Sequence, residues 1–261
     1  MADEKIIFNN AAGYEQMMGT WSRLAGAFFL DWLGASKNLK WLDVGCGNGA
    51  FTEMLVEHCS PNSVAGIDPS EEQLQYARER PACRQTQFQL GDAMQLPYVD
   101  NEFDAAAMAL VIFFVPEPAT SVREMRRVVR SGGWVSAYVW DILEGGFPLA
   151  AMQDQLRAIG KTPRLPPSAA FSRMDALREL WIAADLQSVQ TTVITVERTF
   201  TDFDEYWNTA LLGSSIGPEV ASLTQLERNA LKVGVRDRVR IAGNGQVVIS
   251  ARANAVRGQI V

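Results

Sequence analysis

The sequence predicts an open α/β fold, in which a mainly parallel β-sheet lies between layers of helices. Short apolar runs of strand length alternate along the chain with segments whose apolar residues recur at helical spacing. The first run, Trp41 to Val44, leads into three glycines at alternate positions, Gly45, Gly47 and Gly49. A strand, a tight glycine-rich turn and a helix form the entry unit of nucleotide-binding sheets, so we expect a site to begin here.

The glycine-rich turn has the pattern Asp43-x-Gly-x-Gly-x-Gly, with Cys46 inside it. Glycine suits such a turn because it adopts unusual dihedral angles and lets a ligand touch bare backbone. The pattern differs from the dinucleotide fingerprint G-x-G-x-x-G, and no lysine stands beside the glycines as it does in a Walker A loop. A helix is predicted after the turn, because four of its residues recur at helical spacing: Phe51, Met54, Leu55 and His58.

A second strand is predicted from Ser63 to Ile67, and Asp68 and Pro69 follow it. An acidic residue at this strand end, about 20 residues past a glycine turn, suits the two hydroxyl groups of a ribose. A carboxylate accepts both hydroxyl hydrogens through strong charge-assisted bonds. The alternative is that Asp68 only turns the chain, but Ser70, which opens a capping box with Gln73, serves that purpose better.

The third strand, Thr86 to Leu90, leads into Gly91, Asp92 and Ala93. Asp92 is either a ligand-binding side chain or the first residue of an Asx-turn, for which aspartate is common. The pair Gly-Asp alone does not decide between these two roles.

A fourth strand is predicted from Phe103 to Val111, and the helix after it is expected to end at Gly132-Gly133. Arginines crowd the C-terminal end of that helix, where cations are favoured. Trp134 to Trp140 has the composition of a fifth strand. The apolar side of the helix holds Val122, Met125, Val128 and Val129.

As a set, these segments resemble the motifs of the class I S-adenosylmethionine (SAM) methyltransferases. The glycine turn is similar to motif I of that class. The later motifs resemble those of the type 11 group, which is related to the quinone-biosynthesis methyltransferases. This likeness is carried by four strings: Phe103-Asp104, Val115-Pro116-Glu117-Pro118, Glu124-Met125-Arg126-Arg127-Val128 and Gly132-Gly133.

The resemblance implies a Rossmann-like three-layer sandwich, whose seven-stranded and mainly parallel sheet has its last strand antiparallel. Within one domain it implies an N-terminal helical cap (1–36), a SAM-binding core (37–141), an inserted lid (142–188) and a part that completes the sheet (189–261). In this group such a cap packs over the cofactor cleft. Beyond the fifth strand we expect helices at Phe147–Ile159, Ser172–Ala184, Phe203–Leu212 and Glu219–Val239, and strands at Val189–Phe200 and Gln246–Ala255.

The resemblance also implies SAM as the cofactor, S-adenosylhomocysteine (SAH) as its product and no metal. Asp43 would face the amino group of the methionine part, directly or through water, and Asp68 would take the ribose. The backbone of the turn would contact the methionine part at Gly45, Cys46, Gly47 and Gly49. The remaining assignments are Pro69 beside the adenine, Asp92 and Ala93 at the adenine edge, and Ala109 near the methionine backbone and the reacting methyl group.

Methyl transfer from a sulfonium is an in-line displacement that expels a neutral thioether, so alignment matters more than acid catalysis. A base helps only when the nucleophile holds a proton of high pKa. The single histidine, His58, has the position of a partly buried residue near a helix end. Many relatives carry histidine where this chain has Phe113 and Phe114, which disfavours a histidine base. Asp141 is the one nearby carboxylate that we consider as a base.

We expect the acceptor pocket beyond the carboxyl ends of strands four and five and under the cap. Aromatic residues there either stack on a planar acceptor or surround a cation, or else they fill the core of the lid. For Trp21 we favour a role in covering the sheet. The candidate residues are Tyr14, Trp21, Phe113, Trp140 and Phe147.

Composition limits the possible partners. A net charge of −6 and a pI near 5.0 argue against a primarily nucleic-acid-binding surface. The three cysteines have neither metal-ligand nor disulfide spacing, and we interpret Cys46 as a small residue packed under the cofactor. Without an apolar stretch that could cross a bilayer or the pattern of a signal peptide, we expect a cytoplasmic protein with a small-molecule substrate.

Three functions remain open from the residues. The first is a SAM-dependent methyltransferase that acts on a small aromatic or lipophilic acceptor. The second is a protein that binds SAM or SAH without catalysis. The third is an NAD(P)-dependent oxidoreductase, which the glycine spacing and the lack of a Tyr-x-x-x-Lys pair after the fourth strand disfavour.

Overall fold

The computed structural model describes residues 15–213 and 216–261. Their strands are Lys40–Val44 (β1), Ser63–Asp68 (β2), Gln87–Leu90 (β3), Phe103–Ala109 (β4), Val129–Trp140 (β5), Gln187–Phe200 (β6), Arg240–Ile241 (β7) and Val247–Gln259 (β8). They form one sheet in the order β3-β2-β1-β4-β5-β8-β6, and β7 pairs with β8 beside this path. The predicted fold class is confirmed, and the two-residue strand β7 adds an eighth strand to the expected seven.

Helices connect the strands of this sheet. They are Thr20–Leu33 (α1), Ala50–Cys59 (α2), Glu71–Glu79 (α3), Pro118–Val128 (α4), Ala150–Ala158 (α5), Met174–Ala183 (α6), Phe203–Ala210 (α7), Gly217–Ala221 (α8) and Gln225–Arg236 (α9). A π-helical turn at Glu15–Gly19 precedes α1. Short 3₁₀ turns follow α3, β4 and the loop after α5, at Pro81–Cys83, Ile112–Phe114 and Ala169–Ser172.

The strand order reverses at β1, which pairs in parallel with β2 on one side and with β4 on the other. Strands β3 and β5 extend the parallel part at its two ends, and β8 runs antiparallel to β5. In an open α/β sheet, ligands bind outside the carboxyl ends of the strands at such a reversal. The carboxyl ends of β1, β2 and β4 therefore mark the expected site.

The chain divides into two compact units, and the larger one contains strands β1 to β5. Residues of these strands such as Leu42 and Val135 are fully buried. The rings of Phe29 on α1 and Phe51 on α2 lie 4.7 and 5.9 Å from the ring of Tyr138 on β5, so both helices cover the same part of the sheet. The larger unit comprises Ser22–Glu144, Pro167–Ile194 and Ala253–Val261.

The smaller unit contains an aromatic cluster of its own. The ring of Tyr206 lies 5.3 Å from that of Phe200, and the guanidinium of Arg198 lies 4.5 Å from the Phe200 ring. Arg198 also donates a hydrogen bond to the carbonyl of Met17 at 3.0 Å. The described parts of this unit fall within Met1–Trp21, Gly145–Pro166 and Thr195–Arg252. The predicted division into cap, core, lid and completing part remains a prediction.

The predicted helix stop at Gly132-Gly133 is wrong. Helix α4 ends at Val128, and β5 begins at the next residue and runs through both glycines. The pairing of β5 with β4 shifts register at its start, between Phe103 and Ala105, and Gly132 has a φ of +79°. The glycines therefore bend a strand at a bulge, which is a common place for glycine inside a sheet.

Three other predicted boundaries also differ from the structure. Ser172 ends a 3₁₀ turn and does not cap α6, whose first residue is Met174. The single helix predicted at Glu219–Val239 is interrupted, because Thr224 and Glu227 form a capping box that begins a new helix, α9. Strand β4 ends at Ala109 rather than at Val111, because Leu110 has a φ of +62°.

Gly133→Ala should destabilise the protein by about 2 kcal/mol or more, because the new methyl group would press on backbone that cannot move away. Its Cβ would lie 2.5 Å from the Asp104 carbonyl oxygen and 2.8 Å from that of Arg130. Urea unfolding of the variant measures this loss. Gly243→Ala is the matched control, since its Cβ would meet no atom of residues 15–213 and 216–261 within 4 Å. Equal stability of the two variants would show that β5 is not constrained at this point.

Candidate functional site

The turn between β1 and α2 is built on three glycines with left-handed backbone. Gly45, Gly47 and Gly49 have φ angles of +75°, +52° and +79°, a region that L side chains rarely occupy. The N–H groups of Gly45 and Cys46 donate to the carbonyl of Ile67, at 2.7 and 3.0 Å. These two bonds tie the turn to the end of β2.

The three glycines face different surroundings. A Cβ on Gly45 would lie 2.5 Å from Cγ1 of Val111, and one on Gly49 would lie 2.9 Å from Cβ of Ala77. At Gly47 a Cβ would meet no atom of the described residues within 4 Å. The outer glycines thus permit close approach of other parts of the chain, whereas the middle glycine borders open space. Bare backbone next to open space is what a ligand of this turn requires.

Asp68, the last residue of β2, reaches across to this turn. Its Oδ2 accepts a hydrogen bond from the Gly47 N–H and its Oδ1 accepts one from the Ser70 N–H, both at 2.9 Å. Burial raises the pKa of Asp68, and the two backbone bonds oppose that rise. Each carboxylate oxygen can accept a further bond, so the group has capacity for two hydroxyls. Ser70 itself caps α3 by accepting from the Gln73 N–H.

Asp43, on β1, is fully buried. Its Oδ2 accepts from the Thr52 hydroxyl at 2.6 Å, while its Oδ1 has no hydrogen-bond partner among the described residues. Burial raises the pKa of Asp43 to about 7 from an ordinary value of 3.8; the Asp68 carboxylate adds to the rise and the Thr52 bond opposes it. A buried carboxylate oxygen without a partner is costly unless a cation or donor satisfies it.

Asp92 and Ala93 lie in the turn after β3. The Oδ1 of Asp92 accepts from the Met94 N–H at 2.8 Å, and its carbonyl accepts from the Gln95 N–H at 3.0 Å. Asp92 therefore forms the Asx-turn that we weighed as the alternative to ligand binding. The turn uses one carboxylate oxygen and leaves the side chain exposed, so the adenine assignment of Asp92 and Ala93 remains a prediction.

Cys46 is buried within the glycine turn, next to β2. A Cβ on Gly66 would lie 3.0 Å from its sulfur, which shows how closely the thiol approaches that strand. Burial raises the pKa of the thiol well above its ordinary value, and the carboxylates of Asp43 and Asp68 raise it further. A neutral, buried thiol is a poor nucleophile, which agrees with the interpretation of Cys46 as a small packing residue.

The predicted acceptor residues of the larger unit lie beyond β4 and β5. Phe113 is buried, and its ring centre lies 4.5 Å from that of Phe114. Trp140 ends β5 and Asp141 follows it, and both are almost fully buried. The Oδ1 of Asp141 accepts from the Glu144 N–H at 3.3 Å. Their roles toward an acceptor remain predictions.

The predicted cofactor positions follow successive strands of the parallel sheet. Asp43 and the glycines end β1, Asp68 and Pro69 end β2, Asp92 and Ala93 follow β3, and Ala109 ends β4. Because carboxyl ends of parallel strands share one edge of a sheet, the structure brings these residues to the same edge.

The remaining candidates do not join this edge within the larger unit. Trp21, which is buried, and Phe147, which is half-buried, belong to the smaller unit, so their roles remain predictions. Tyr14 lies outside the described residues. His58 lies near the end of α2 with about half of its side chain exposed, 4.0 Å from the Asp31 carboxylate.

Sequence reasoning missed Thr52 and Val111. Thr52 is fully buried on α2 and donates a hydrogen bond to Asp43. The sequence signal that could have indicated this role is a hydroxyl residue within an apolar helix face. Val111 occupies the space in front of Gly45. Its role could not be predicted, because the apolar run of the sequence extends the predicted fourth strand to Val111. In the structure the left-handed backbone of Leu110 turns the chain one residue earlier.

Two further findings concern the described residues, 15–213 and 216–261. Their helices include none that is both long and apolar enough to span a membrane. Within the same residues, no cluster of three or more His, Cys, Asp and Glu side chains has the geometry of a metal site.

Comparison with known proteins gives the family of this region. Residues 42–137 match the family model described as methyltransferase domain, type 11. Demethylmenaquinone methyltransferase from Staphylococcus aureus is 38% identical over 105 residues, which are 40% of this chain and 44% of that protein. The chain thus matches less than half the length of this curated relative. Residues 42–137 of the chain are therefore similar to the methyltransferase domain of the type 11 family.

Solved structures share the fold at low sequence identity. The YcgJ protein from Bacillus subtilis is 16% identical with a TM-score of 0.61, and the match covers 90% of this chain and 97% of that one. Phosphoethanolamine N-methyltransferase 2 from Haemonchus contortus, in complex with phosphomonomethylethanolamine and SAH, is 15% identical with a TM-score of 0.57. That match covers 95% of this chain and 56% of the other. At such identities the likeness shows the Rossmann-like fold alone.

The raised pKa of Asp43 predicts how Asp43→Asn changes stability with pH. In the folded protein the neutral form is favoured up to pH about 7, whereas in the unfolded chain the group ionises near its ordinary value of 3.8. Wild-type protein therefore loses stability from this group as pH rises between these values, by at most about 1.4 kcal/mol per pH unit. Asn cannot ionise, so the stability of the variant relative to wild type should increase from pH 4 to pH 7.

Thermal unfolding of the ligand-free proteins across this pH range measures the difference. Asp154→Asn is the control, because Asp154 is exposed and pairs with Arg157 at 2.8 Å. A difference between Asp43→Asn and wild type that stays constant with pH would refute the burial argument for Asp43.

Proposed function

We propose that the chain is a SAM-dependent methyltransferase that methylates a small aromatic or lipophilic acceptor without a metal. The observation that carries this proposal is the arrangement of Asp43, Gly47 and Asp68 at the reversal of strand order. It combines a buried carboxylate oxygen that has no partner among the described residues, bare backbone with no described atom in front of it, and a second carboxylate. A ligand with an ammonium group, a sulfonium and a ribose diol matches all three features.

Each residue then has a role that its surroundings support. The bare Oδ1 of Asp43 accepts from the ammonium group, whose positive charge favours the ionised carboxylate. Asp68 accepts the ribose hydroxyls and keeps its two bonds to backbone N–H groups. The Asp92 oxygen that the Asx-turn leaves unused accepts a hydrogen bond from the adenine amino group, and the Ala93 N–H donates one to the adenine ring. Pro69, which is exposed, lies beside the base.

Catalysis in this proposal rests on alignment and on the exclusion of water. SAM supplies a methyl group on positively charged sulfur and is left as a neutral thioether, so the chain needs no general acid. In this proposal Ala109 and the left-handed backbone of Leu110 lie beside the reacting methyl group. Val111 packs against Gly45 and holds this segment in place. Asp141, the buried carboxylate that follows β5, would receive the proton from an acceptor whose nucleophile holds a proton of high pKa.

An aromatic acceptor is favoured by the residues beyond β4. Phe113 and Phe114 follow β4, and their rings pack edge to face at 4.5 Å. The Staphylococcus aureus relative is named for demethylmenaquinone, an acceptor name that is consistent with an apolar pocket. We therefore place quinone precursors and phenols ahead of amines.

A second candidate is a protein that binds SAM or SAH without methyl transfer. The absence of a histidine at Phe113 and Phe114, together with the exposed position of His58, is the observation that favours it. An NAD(P)-dependent oxidoreductase is disfavoured by the glycine pattern, which lacks the G-x-G-x-x-G spacing that cradles a pyrophosphate.

Gly47→Ala should weaken SAM binding by about 30-fold or more, equivalent to about 2 kcal/mol, because the methyl group fills the space that the ligand needs. In the free protein this methyl meets no described atom within 4 Å, so the cost to stability is limited to about 1 kcal/mol of left-handed backbone strain. Gly245→Ala is the matched control, since it has a φ of +88° and equally open surroundings. Calorimetric titration with SAM measures both; equal affinities would remove Gly47 from the site.

The function itself is tested in two steps with the whole 261-residue chain. Titration with SAM, SAH and NADH comes first: binding of SAM and SAH without NADH is the expected result, and binding of NADH alone would overturn the proposal. Incubation with SAM and panels of quinone precursors, phenols and amines comes second. Formation of SAH that depends on an acceptor supports the transferase, while tight binding without SAH formation across all panels supports the second candidate.

A further inference from the structure

The loop from Gly91 to Asn101 carries the proposed adenine contacts but has little support from the sheet. It follows β3, an edge strand that pairs only with β2 among the described residues. The Asx-turn at Asp92 orders its first residues and closes at Gln95, whose N–H donates to the Asp92 carbonyl at 3.0 Å. The Gly91 N–H donates to the Asp68 carbonyl at 3.1 Å, which ties the start of the loop to the end of β2. Beyond Gln95, other contacts must fix the position of the loop.

Arg127 on α4 supplies those contacts. Its Nη2 donates to the Leu96 carbonyl at 2.9 Å, and its Nη1 donates to the Tyr98 carbonyl and to Oδ1 of Asp100, both at 2.8 Å. The carbonyl of Arg127 accepts from the Asn101 N–H at 3.0 Å. One residue thus holds four positions of the loop, and two of the bonds go to the loop's own backbone carbonyls.

Glu124, one turn earlier on α4, completes the arrangement. Its two carboxylate oxygens accept from Nε and Nη2 of Arg127, each at 2.8 Å. Oε2 also accepts from the Leu96 N–H at 2.9 Å. The Arg127 guanidinium holds the pKa of Glu124 below its ordinary value. Leu96 is therefore fixed through both its N–H and its carbonyl, directly after the residue that closes the Asp92 turn.

The chemistry of this pair suits a positioning role. A planar guanidinium makes parallel bonds to a carboxylate and still has donors for carbonyl oxygens, which the ammonium of lysine cannot reproduce. Both side chains are only partly exposed, at 32% for Arg127 and 20% for Glu124, so solvent screens the pair less than it screens a surface ion pair. Neither residue follows the carboxyl end of a parallel strand, where the cofactor contacts are proposed.

We propose that Glu124 and Arg127 are the positioning residues of the adenine subsite: they place the Asp92–Ala93 turn so that the edge of the base is read. This inference rests on the proposed function, because it assigns the turn to adenine. Its consequence is specificity, since a displaced turn still admits the ribose and amino-acid parts of the ligand at Asp68 and Asp43.

The test compares three ligands by calorimetric titration: SAH, S-inosylhomocysteine, in which the adenine amino group is replaced by oxygen, and S-ribosylhomocysteine, which lacks the base. Wild-type protein should prefer SAH to the inosyl compound. Arg127→Gln should weaken SAH binding by about 10-fold or more, reduce the preference for SAH over the inosyl compound to near one, and change the affinity for the ribosyl compound less than about threefold.

Arg127→Lys should fail to restore the preference, because lysine lacks the planar fork. If Arg127→Gln does not fold, Arg127→Lys and Glu124→Gln carry the same comparison. Arg123→Gln is the matched control on the same helix, where Arg123 is exposed and donates to the Thr120 hydroxyl at 3.0 Å. Thermal unfolding of every variant confirms that it is folded at the titration temperature.

The outcomes are distinguishable. An equal loss of affinity for all three ligands would show a merely structural role and overturn the inference. Unchanged affinities in both Arg127 variants would also overturn it. If wild-type protein binds none of the three ligands, the proposed function fails and this inference fails with it, whereas wild-type binding with an unaltered preference in the variants refutes the inference alone.

Discussion

The reversal of strand order at β1 is the constraint on which the rest of the site depends. Because β1 lies between β2 and β4, Asp43 is covered on both sides and cannot reach water. The same reversal places the glycine turn directly beside the end of β2, where the Ile67 carbonyl and the Asp68 carboxylate hold it. The site is therefore a product of topology before it is a product of individual side chains.

The ligand-free site stores unfavourable electrostatic energy. The Asp68 carboxylate raises the cost of ionising Asp43 in a chain that is already negatively charged. The Asp43 oxygen that has no partner among the described residues adds a desolvation cost. Leu110 adds backbone strain at the end of β4, since a bulky residue rarely has a positive φ. A ligand with two positive centres relieves the electrostatic part, so what weakens the free protein favours binding. This trade of stability for function is common at binding sites.

Most of the fold could be predicted from the sequence because strand-length apolar runs and helical spacing are local signals. The proximity of Asp43, Gly47 and Asp68 could be predicted because their spacing reflects one local unit: a strand, a turn and a second strand end. Two boundaries could not be predicted. Gly132-Gly133 bend a strand because β5 must pair with β4, and β4 ends early because Leu110 has left-handed backbone. The contacts of Thr52 and Arg127 could not be predicted, because their hydrogen-bond partners lie 9 and about 30 residues away along the chain. Sequence spacing does not reveal contacts of this kind.

A crystal structure of the chain with SAH tests the central claim most directly. Our account predicts the amino group within hydrogen-bond distance of Asp43 Oδ1, the ribose hydroxyls on Asp68 and the homocysteine part against the bare backbone of Gly47. An empty crevice at saturating SAH, or SAH bound away from the carboxyl ends of β1 and β2, would contradict it.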